Sequence, residues 1–138
     1  MRIFLDASAM VPMELPQDQH RPRLDVVMRR LRMAHGDNLE FVTTNWTLYE
    51  ALAQARRRGW QASMQLFQRI EELADIVSVD ESTEVEALHR FLRWRDKSAS
   101  VVDYANALVA QARRCQAVLS FDADFVPLTA AAGLRLLA

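Results

Sequence analysis

The sequence is poor in the residues that staple or break up a chain: one cysteine, three glycines and four prolines in 138 residues. With Cys115 alone, no intrachain disulfide can form. Arg113 and Arg114 beside it are expected to lower its pKa, but no motif marks it as a nucleophile. No stretch is rich in Gly, Ser or Pro, and no segment repeats, so no linker divides the chain. A single domain over residues 1–138 is expected, long enough to bury a real core. Long apolar runs are absent as well, and nothing approaches the length of a membrane span. The first apolar run, Ile3-Phe4-Leu5, is cut by Asp6 and then Pro12, too early for a signal peptide. A cytoplasmic protein with no membrane partner is the expectation.

An excess of either charge is also missing. Seventeen Lys and Arg face eighteen Asp and Glu, a formal net charge of −1, which argues against a strongly electropositive nucleic-acid binder. The cations are nevertheless grouped: Arg29, Arg30 and Arg32; Arg56, Arg57 and Arg58; and Arg90, Arg93, Arg95 and Lys97. The plain reading of each group is a solvated helix face. The sharper one is phosphate contact, because guanidinium matches phosphate oxygens with paired hydrogen bonds.

What is present is a close succession of short apolar runs and amphipathic segments. Ile3-Phe4-Leu5 reads as a buried first strand ending at Asp6. Pro12, Pro16 and Pro22 are expected to break the next segment into loop or short helical turns. Val26, Val27, Leu31 and Ala34 predict a helix from about Arg23 to Ala34, stopped by Gly36 and Asp37-Asn38. Glu40–Thr43 reads as a second strand. Thr44 or Asn45 caps a helix with Trp46, Tyr49, Leu52 and Ala53 on its apolar face. A helix from about Ala62 to Leu73 uses Met64, Leu66, Phe67 and Ile70. Asp75–Val79 is a third strand, and Asp80 or Ser82 starts a helix through Val85, Leu88, Phe91 and Leu92. Ser100 starts the next, with Tyr104, Leu108 and Ala112 inward. Ala117–Ser120 is a fourth strand, a short turn follows, and Leu134–Leu137 forms a final strand. Strands alternating with helices predict an α/β layered domain with a central, mostly parallel four- or five-stranded sheet flanked by helices. In such sheets ligands bind beyond the carboxyl ends of the strands.

Acids stand at those places. Asp6 ends the first strand, with the Ser8 hydroxyl two residues on. Glu50 lies on the border of the apolar face of its helix, where a partly buried carboxylate needs a partner; the i+4 position holds Gln54, so no helical ion pair supports it. Asp103 fits a capping box with Ser100, which explains it without function. Asp122 and Asp124 follow the fourth strand, and Asp124 could equally cap the turn after it. Asp96 reads as a surface residue of a charged loop. Each acid has an ordinary explanation alone. Jointly they end two strands and open or line two helices. Carboxylates packed together repel unless a cation neutralises them. Hard oxygen ligands suit Mg²⁺ or Mn²⁺, and His20, His35 and His89 show no zinc spacing. Such an ion could activate water and stabilise charge developing on a phosphate.

Four fragments in this order resemble the PIN domain family, especially the VapC-type toxins of bacterial toxin–antitoxin modules. They are Phe4-Leu5-Asp6-Ala7-Ser8-Ala9, Val42-Thr43-Thr44-Asn45 through Glu50-Ala51-Leu52, Asp96 through Asp103-Tyr104-Ala105-Asn106-Ala107, and Leu119-Ser120-Phe121-Asp122-Ala123-Asp124-Phe125. The resemblance covers nearly the whole chain. It implies a three-layer PIN-like fold and a metal-dependent endoribonuclease using Mg²⁺ or Mn²⁺, with RNA hydrolysed by a metal-activated water. It maps the catalytic and metal-binding acids to Asp6, Glu50, Asp103 and Asp122, with Asp124 as an accessory metal ligand. Ser8 stands where the family often has Thr or Ser and is implied to hold a metal-bound water. Ser120 keeps the hydroxyl of the last motif, and Asn106 contributes from the helix after Asp103. The implied partners are an RNA substrate, a second copy of the chain in a homodimer, and a cognate antitoxin of a type II pair whose Arg-bearing segment covers the acids.

Two other classes compete. A phosphoaspartate hydrolase or transferase would use Asp6 as nucleophile, but it calls for a second acid two residues on, where Ser8 stands, and for a Lys after a late strand. An RNA-binding or assembly module without activity would show lost acids and a basic excess, and the sequence shows neither.

Overall fold

The computed structural model describes residues 1–94 and 98–138; Arg95, Asp96 and Lys97, which the sequence reading placed in a cationic group and a charged loop, lie outside the described residues. The chain builds a three-layer α/β domain. Five strands are described: β1 (Arg2–Leu5), β2 (Glu40–Thr44), β3 (Ala74–Val77), β4 (Ala117–Leu119) and β5 (Arg135–Leu137). They pair in the order β3-β2-β1-β4-β5, and every pairing is parallel. The helices are α1 (Ala7–Glu14), α2 (Arg21–His35), α3 (Asn45–Arg56), α4 (Trp60–Leu73), α5 (Glu81–Arg93), α6 (Val101–Ala112) and α7 (Val126–Ala132).

The central strand explains the layering. Ile3, Phe4 and Leu5 are all fully buried, as expected where both faces of a parallel sheet are covered. Side chains alternate between faces along a strand. Ile3 and Leu5 join Phe41 and Leu119 in a core with α1, α2, α3 and α4. Phe4 joins Val42 and Val118 in a second core with Val109 and Ala110 of α6 and with Phe125. Ala87 of α5 packs on Tyr104 and Ala105 of α6 in a third cluster.

Several local expectations change. Of the two forms expected after Asp6, loop or short helical turns, the segment takes the helical one, but unbroken at Pro12: α1 spans Ala7–Glu14 with Pro12 buried inside it. Pro22 instead sits in the first turn of α2, where its missing N–H costs nothing. The apolar face expected for α3 is displaced, since the buried residues are Thr47, Leu48, Ala51 and Ala55 while Tyr49 is 61 % exposed. In α4, Leu66 and Ile70 are buried as expected, but Met64 and Phe67 are exposed. In α5, only Ala87 is buried, and Val85, Leu88, Phe91 and Leu92 are exposed. Ala112 at the end of α6 is also exposed. Between Asp122 and α7 the chain makes a 3₁₀ turn, Ala123–Phe125.

The sheet topology fixes where a ligand can sit. From β1 the chain runs outward through β2 and β3, then returns to the other side of β1 for β4 and β5. The order reverses between β1 and β4, and the crevice beyond the carboxyl ends of those strands is the switch point at which open α/β sheets bind ligands. Asp6 and Ser120 are the residues that immediately follow β1 and β4.

Candidate active site

Asp6 leaves β1 in extended conformation and caps α1, its side chain accepting from the Ser8 amide. Its backbone continues the ladder by donating to Leu119 O at 3.1 Å. The residue is buried, so its charge needs hydrogen bonds. Three fall on one oxygen: Oδ2 accepts from Ser8 Oγ at 2.7 Å, from Ser120 Oγ at 2.8 Å and from Ser8 N at 3.4 Å. Among the described residues no hydrogen bond reaches Oδ1. The two hydroxyls stand 3.3 Å apart, Ser8 Oγ accepts from Phe121 N at 2.9 Å, and Ser120 Oγ accepts from Asp122 N at 3.1 Å. This hub ties the end of β1 to the end of β4 and orients Asp6. Ser120→Ala is expected to lower stability by about 1 kcal/mol and to weaken divalent-ion binding less than loss of any acid. Urea unfolding and Mn²⁺ titration check both.

Glu50 rises from α3, which starts directly after β2 with Thr44 as its N-cap. As a residue it is exposed, yet its carboxyl is raised above the ordinary carboxylate range, first by partial desolvation and then by the charges of Asp6, Asp103 and Asp122. Asp103 is the third residue of α6. It forms the expected capping box, Ser100 N donating to its Oδ2 at 2.9 Å and Asp103 N donating to Ser100 Oγ at 3.1 Å. Those bonds favour the charged form, but they are outweighed: desolvation, with help from Asp6 and Asp122, pushes the pKa up to about 6. The cap and the acid cluster are therefore the same residue.

Asp122 and Asp124 separate in the structure. Asp122 caps the 3₁₀ turn, its Oδ1 accepting from Asp124 N at 2.9 Å, and its charge acts on Glu50 and Asp103. Asp124 accepts from Ser98 Oγ and does not figure among the charges that raise Glu50 or Asp103. The arrangement thus brings Asp6, Glu50, Asp103 and Asp122 into electrostatic contact and leaves Asp124 at the margin. Cys115, by contrast, is not activated. Burial raises its thiol to about 11 against the lowering pull of Arg2 and Arg113.

Among the described residues none of the four acids is paired with Lys, Arg or His; the ion pairs lie elsewhere, such as Arg21–Asp25 and Arg90–Glu86. Nor, among the described residues, do three Asp, Glu, His or Cys side chains stand close enough together to hold a metal ion as they are placed here. The acids act on one another through their charges. A set of mutually repelling carboxylates, backed by hydroxyls and with no basic partner among the described residues, matches the donor chemistry of Mg²⁺ or Mn²⁺.

Two groups go beyond the sequence expectations, in which Asn106 already counts as a supporting residue but without the partners it has here. The first is a buried polar trio in which Thr44 Oγ1 and Thr47 Oγ1 donate to Asn106 Oδ1 at 2.9 and 2.8 Å. Thr44 was expected only as a cap, and Thr47 gave no signal because a buried threonine looks like a solvent-facing one until its partner is known. The second gathers on Phe121, the residue before Asp122: the His20 ring stacks on Phe121 at 5.1 Å, and the Arg23 guanidinium lies 5.6 Å from the same ring. Arg23 belongs to none of the three cationic groups seen in the sequence.

A family model described as PIN domain matches residues 3–129 of the chain. No curated protein matches its sequence. Among solved structures, VapC20 of Mycobacterium tuberculosis, a sarcin–ricin-loop-cleaving toxin, superposes with a TM-score of 0.77 at 24 % identity, over 96 % of this chain and 95 % of that one. FitAcB from Neisseria gonorrhoeae gives 0.62 at 18 % identity over 99 % and 96 %. PAE2754 from Pyrobaculum aerophilum gives 0.61 at 17 % over 99 % and 90 %.

Proposed function

The chain belongs to the PIN domain family, and from that premise we propose that it is a divalent-metal-dependent endoribonuclease, the toxin of a type II toxin–antitoxin pair. The observation that carries the reading is the acid cluster at the β1–β4 switch point, which has no basic partner among the described residues and in which Asp6 and Asp122 help to raise Glu50 and Asp103. Similarity to a sarcin–ricin-loop-cleaving toxin supports RNA as the substrate class and the toxin role.

Asp6, Glu50, Asp103 and Asp122 would hold one or two Mg²⁺ or Mn²⁺ ions. When bound, such an ion supplies Lewis-acid stabilisation of charge on the phosphate and lowers the pKa of a water. The remaining work falls to the chain's own groups. The Ser8 and Ser120 hydroxyls fix Asp6 by Oδ2, leaving Oδ1 free of the hub. The capping box holds Asp103 at the start of α6 while its carboxyl can still take a proton near neutral pH. Asp122 is presented by the turn after β4, and Asp124, held by Ser98, is an accessory. Arg23 beside Phe121 is a candidate for substrate phosphate. A cognate antitoxin with an Arg-bearing segment suits the same acids, because guanidinium pairs with clustered carboxylates. A homodimer in the cytoplasm completes the reading.

The purified chain is expected to cut RNA with Mn²⁺ and to stop when EDTA removes the ion. Expressed alone it should arrest growth, and co-expression of a small neighbouring gene product should relieve the arrest. Harmless overexpression of folded chain that cleaves RNA in vitro would count against the toxin role and leave the nuclease standing. A folded chain that cuts no RNA with any divalent ion would end the nuclease reading.

A further inference from the structure

We propose that Thr44, Thr47 and Asn106 form a positioning clamp that sets the separation of Glu50 from Asp103 and thereby the affinity of the acid cluster for a divalent ion. The proposal rests on the metallonuclease reading above and gives Asn106, together with Thr44 and Thr47, a positioning role in it.

The two acids ride on different helices. Glu50 is on α3 and Asp103 on α6, and these helices pack in the cores on opposite faces of the sheet. In a helix, residues three apart lie one above the other on the same side. Thr47 is three residues before Glu50, and Asn106 is three after Asp103. A bond between Thr47 and Asn106 therefore joins the helices one turn away from each acid. Thr47 Oγ1 donates to Asn106 Oδ1 at 2.8 Å, and Thr44 Oγ1 donates to the same oxygen at 2.9 Å. Thr44 Oγ1 in turn accepts from Thr47 N at 3.2 Å, so it is also the cap that starts α3. Among the described residues these are the side-chain hydrogen bonds that link α3 with its cap to α6.

All three residues are fully buried. A fold that needed only packing there would be served by apolar side chains, since buried polar groups are costly unless satisfied. The trio is not even fully satisfied. Asn106 Nδ2 is buried without a hydrogen-bond partner among the described residues. An orphaned donor destabilises the fold, and it is retained beside a site whose acids must stay a fixed distance apart while repelling one another. Groups that orient the ligands of a metal without touching it commonly change its affinity by about tenfold to a hundredfold when removed.

The test separates positioning from stability. Thr47→Val removes one hydroxyl at constant shape, and Asn106→Leu removes the amide and its orphaned donor. Mn²⁺ affinity is measured by electron paramagnetic resonance of the free ion, melting temperature by circular dichroism, and kcat and KM on an RNA substrate. Both variants are expected to bind Mn²⁺ about tenfold more weakly and to lose kcat with KM little changed. Asn106→Leu should nevertheless melt no lower than the parent, and Thr47→Ser, which keeps the hydroxyl, should restore Mn²⁺ binding. Parental Mn²⁺ affinity in folded Thr47→Val and Asn106→Leu would overturn the clamp while the nuclease reading survives. Failure of Asn106→Leu to fold, or a failure of Thr47→Ser to restore affinity, would equally overturn it, because the trio would then be holding the core. A parent that binds no Mn²⁺ overturns the metal reading and the clamp with it.

Discussion

Asp6→Asn is expected to lower Mn²⁺-dependent RNA cleavage by about a thousandfold, within the range spanned by loss of a positioned catalytic group, while leaving the fold in place. The substitution keeps the shape and one acceptor oxygen. The amide oxygen can take the place of Oδ2, accepting from Ser8 Oγ and Ser120 Oγ as the carboxylate does, and the cap of α1 survives. What disappears is a negative charge at the switch point. Asp103→Asn makes the same exchange at the other side of the cluster, since an amide oxygen can still accept from Ser100 N. Both variants should therefore show parental circular dichroism. Their combination should fall little further than either alone, because groups that act as a unit are not additive. Cleavage assays across a Mn²⁺ titration check this. Full activity in both single variants would remove Asp6 and Asp103 from the site.

The two acids were legible to different degrees, for physical reasons. Asp6 follows a run of three apolar residues that only a buried central strand explains, and the structure buries all three. Asp103 taken alone reads as a cap, because a capping box and an acid cluster make the same demand for a carboxylate at the third helical position; only its company with the other acids singles it out. The parallel sheet followed from the alternation of short apolar runs with helices, and its wholly parallel pairing is what such alternation dictates. Helix faces were less readable. On α3 the aromatic Tyr49 suggested an inward face, but threonine and alanine occupy the interior while Tyr49 lies open. Small and hydroxylated residues can be buried where helices come close or where a partner such as Asn106 waits, and neither condition is written locally. On α5 the strong apolar periodicity was real, but it leaves Leu88, Phe91 and Leu92 exposed. Pro12 obscured the continuity of α1, because a proline inside a helix removes only one internal bond and a buried, short helix can absorb that loss. The Asp6–Ser8–Ser120 hub joins residues 112 and 114 positions apart, which no local pattern encodes.

Asp103→Asn is also expected to stabilise the metal-free protein at pH 7.5, and the sign follows from its titration. The folded-state pKa is about 6 against an ordinary value of 3.8. Between those values the folded protein keeps a proton that the unfolded chain has released. The native state then binds more protons than the unfolded one, so stability falls as pH rises through this window. Below the ordinary value both states are protonated and there is no cost; above about 6 the cost of holding an ionised Asp103, desolvated first and repelled by Asp6 and Asp122 second, is complete. Two pKa units correspond to about 3 kcal/mol, and partial access to solvent makes about 1–2 kcal/mol the more reasonable size. Glu50 is raised as well and contributes with the same sign. Asparagine resembles the protonated acid, so the variant should match the parent near pH 4 and melt higher at pH 7.5, by about 2–4 °C per kcal/mol in a domain of this size. Mn²⁺ should reverse the order. It neutralises the ionised parent cluster and binds the folded state alone, which raises the parent's melting temperature, and it should do so far less in Asp103→Asn and far less at pH 5 than at pH 7.5. Melting curves at the two pH values, with Mn²⁺ and with EDTA, test both halves. A variant that melts below the parent at pH 7.5 in EDTA would mean that the capping hydrogen bonds of Asp103 outweigh its repulsion. The carboxylate would then be a structural cap, and its place in a metal site would lose its main physical support.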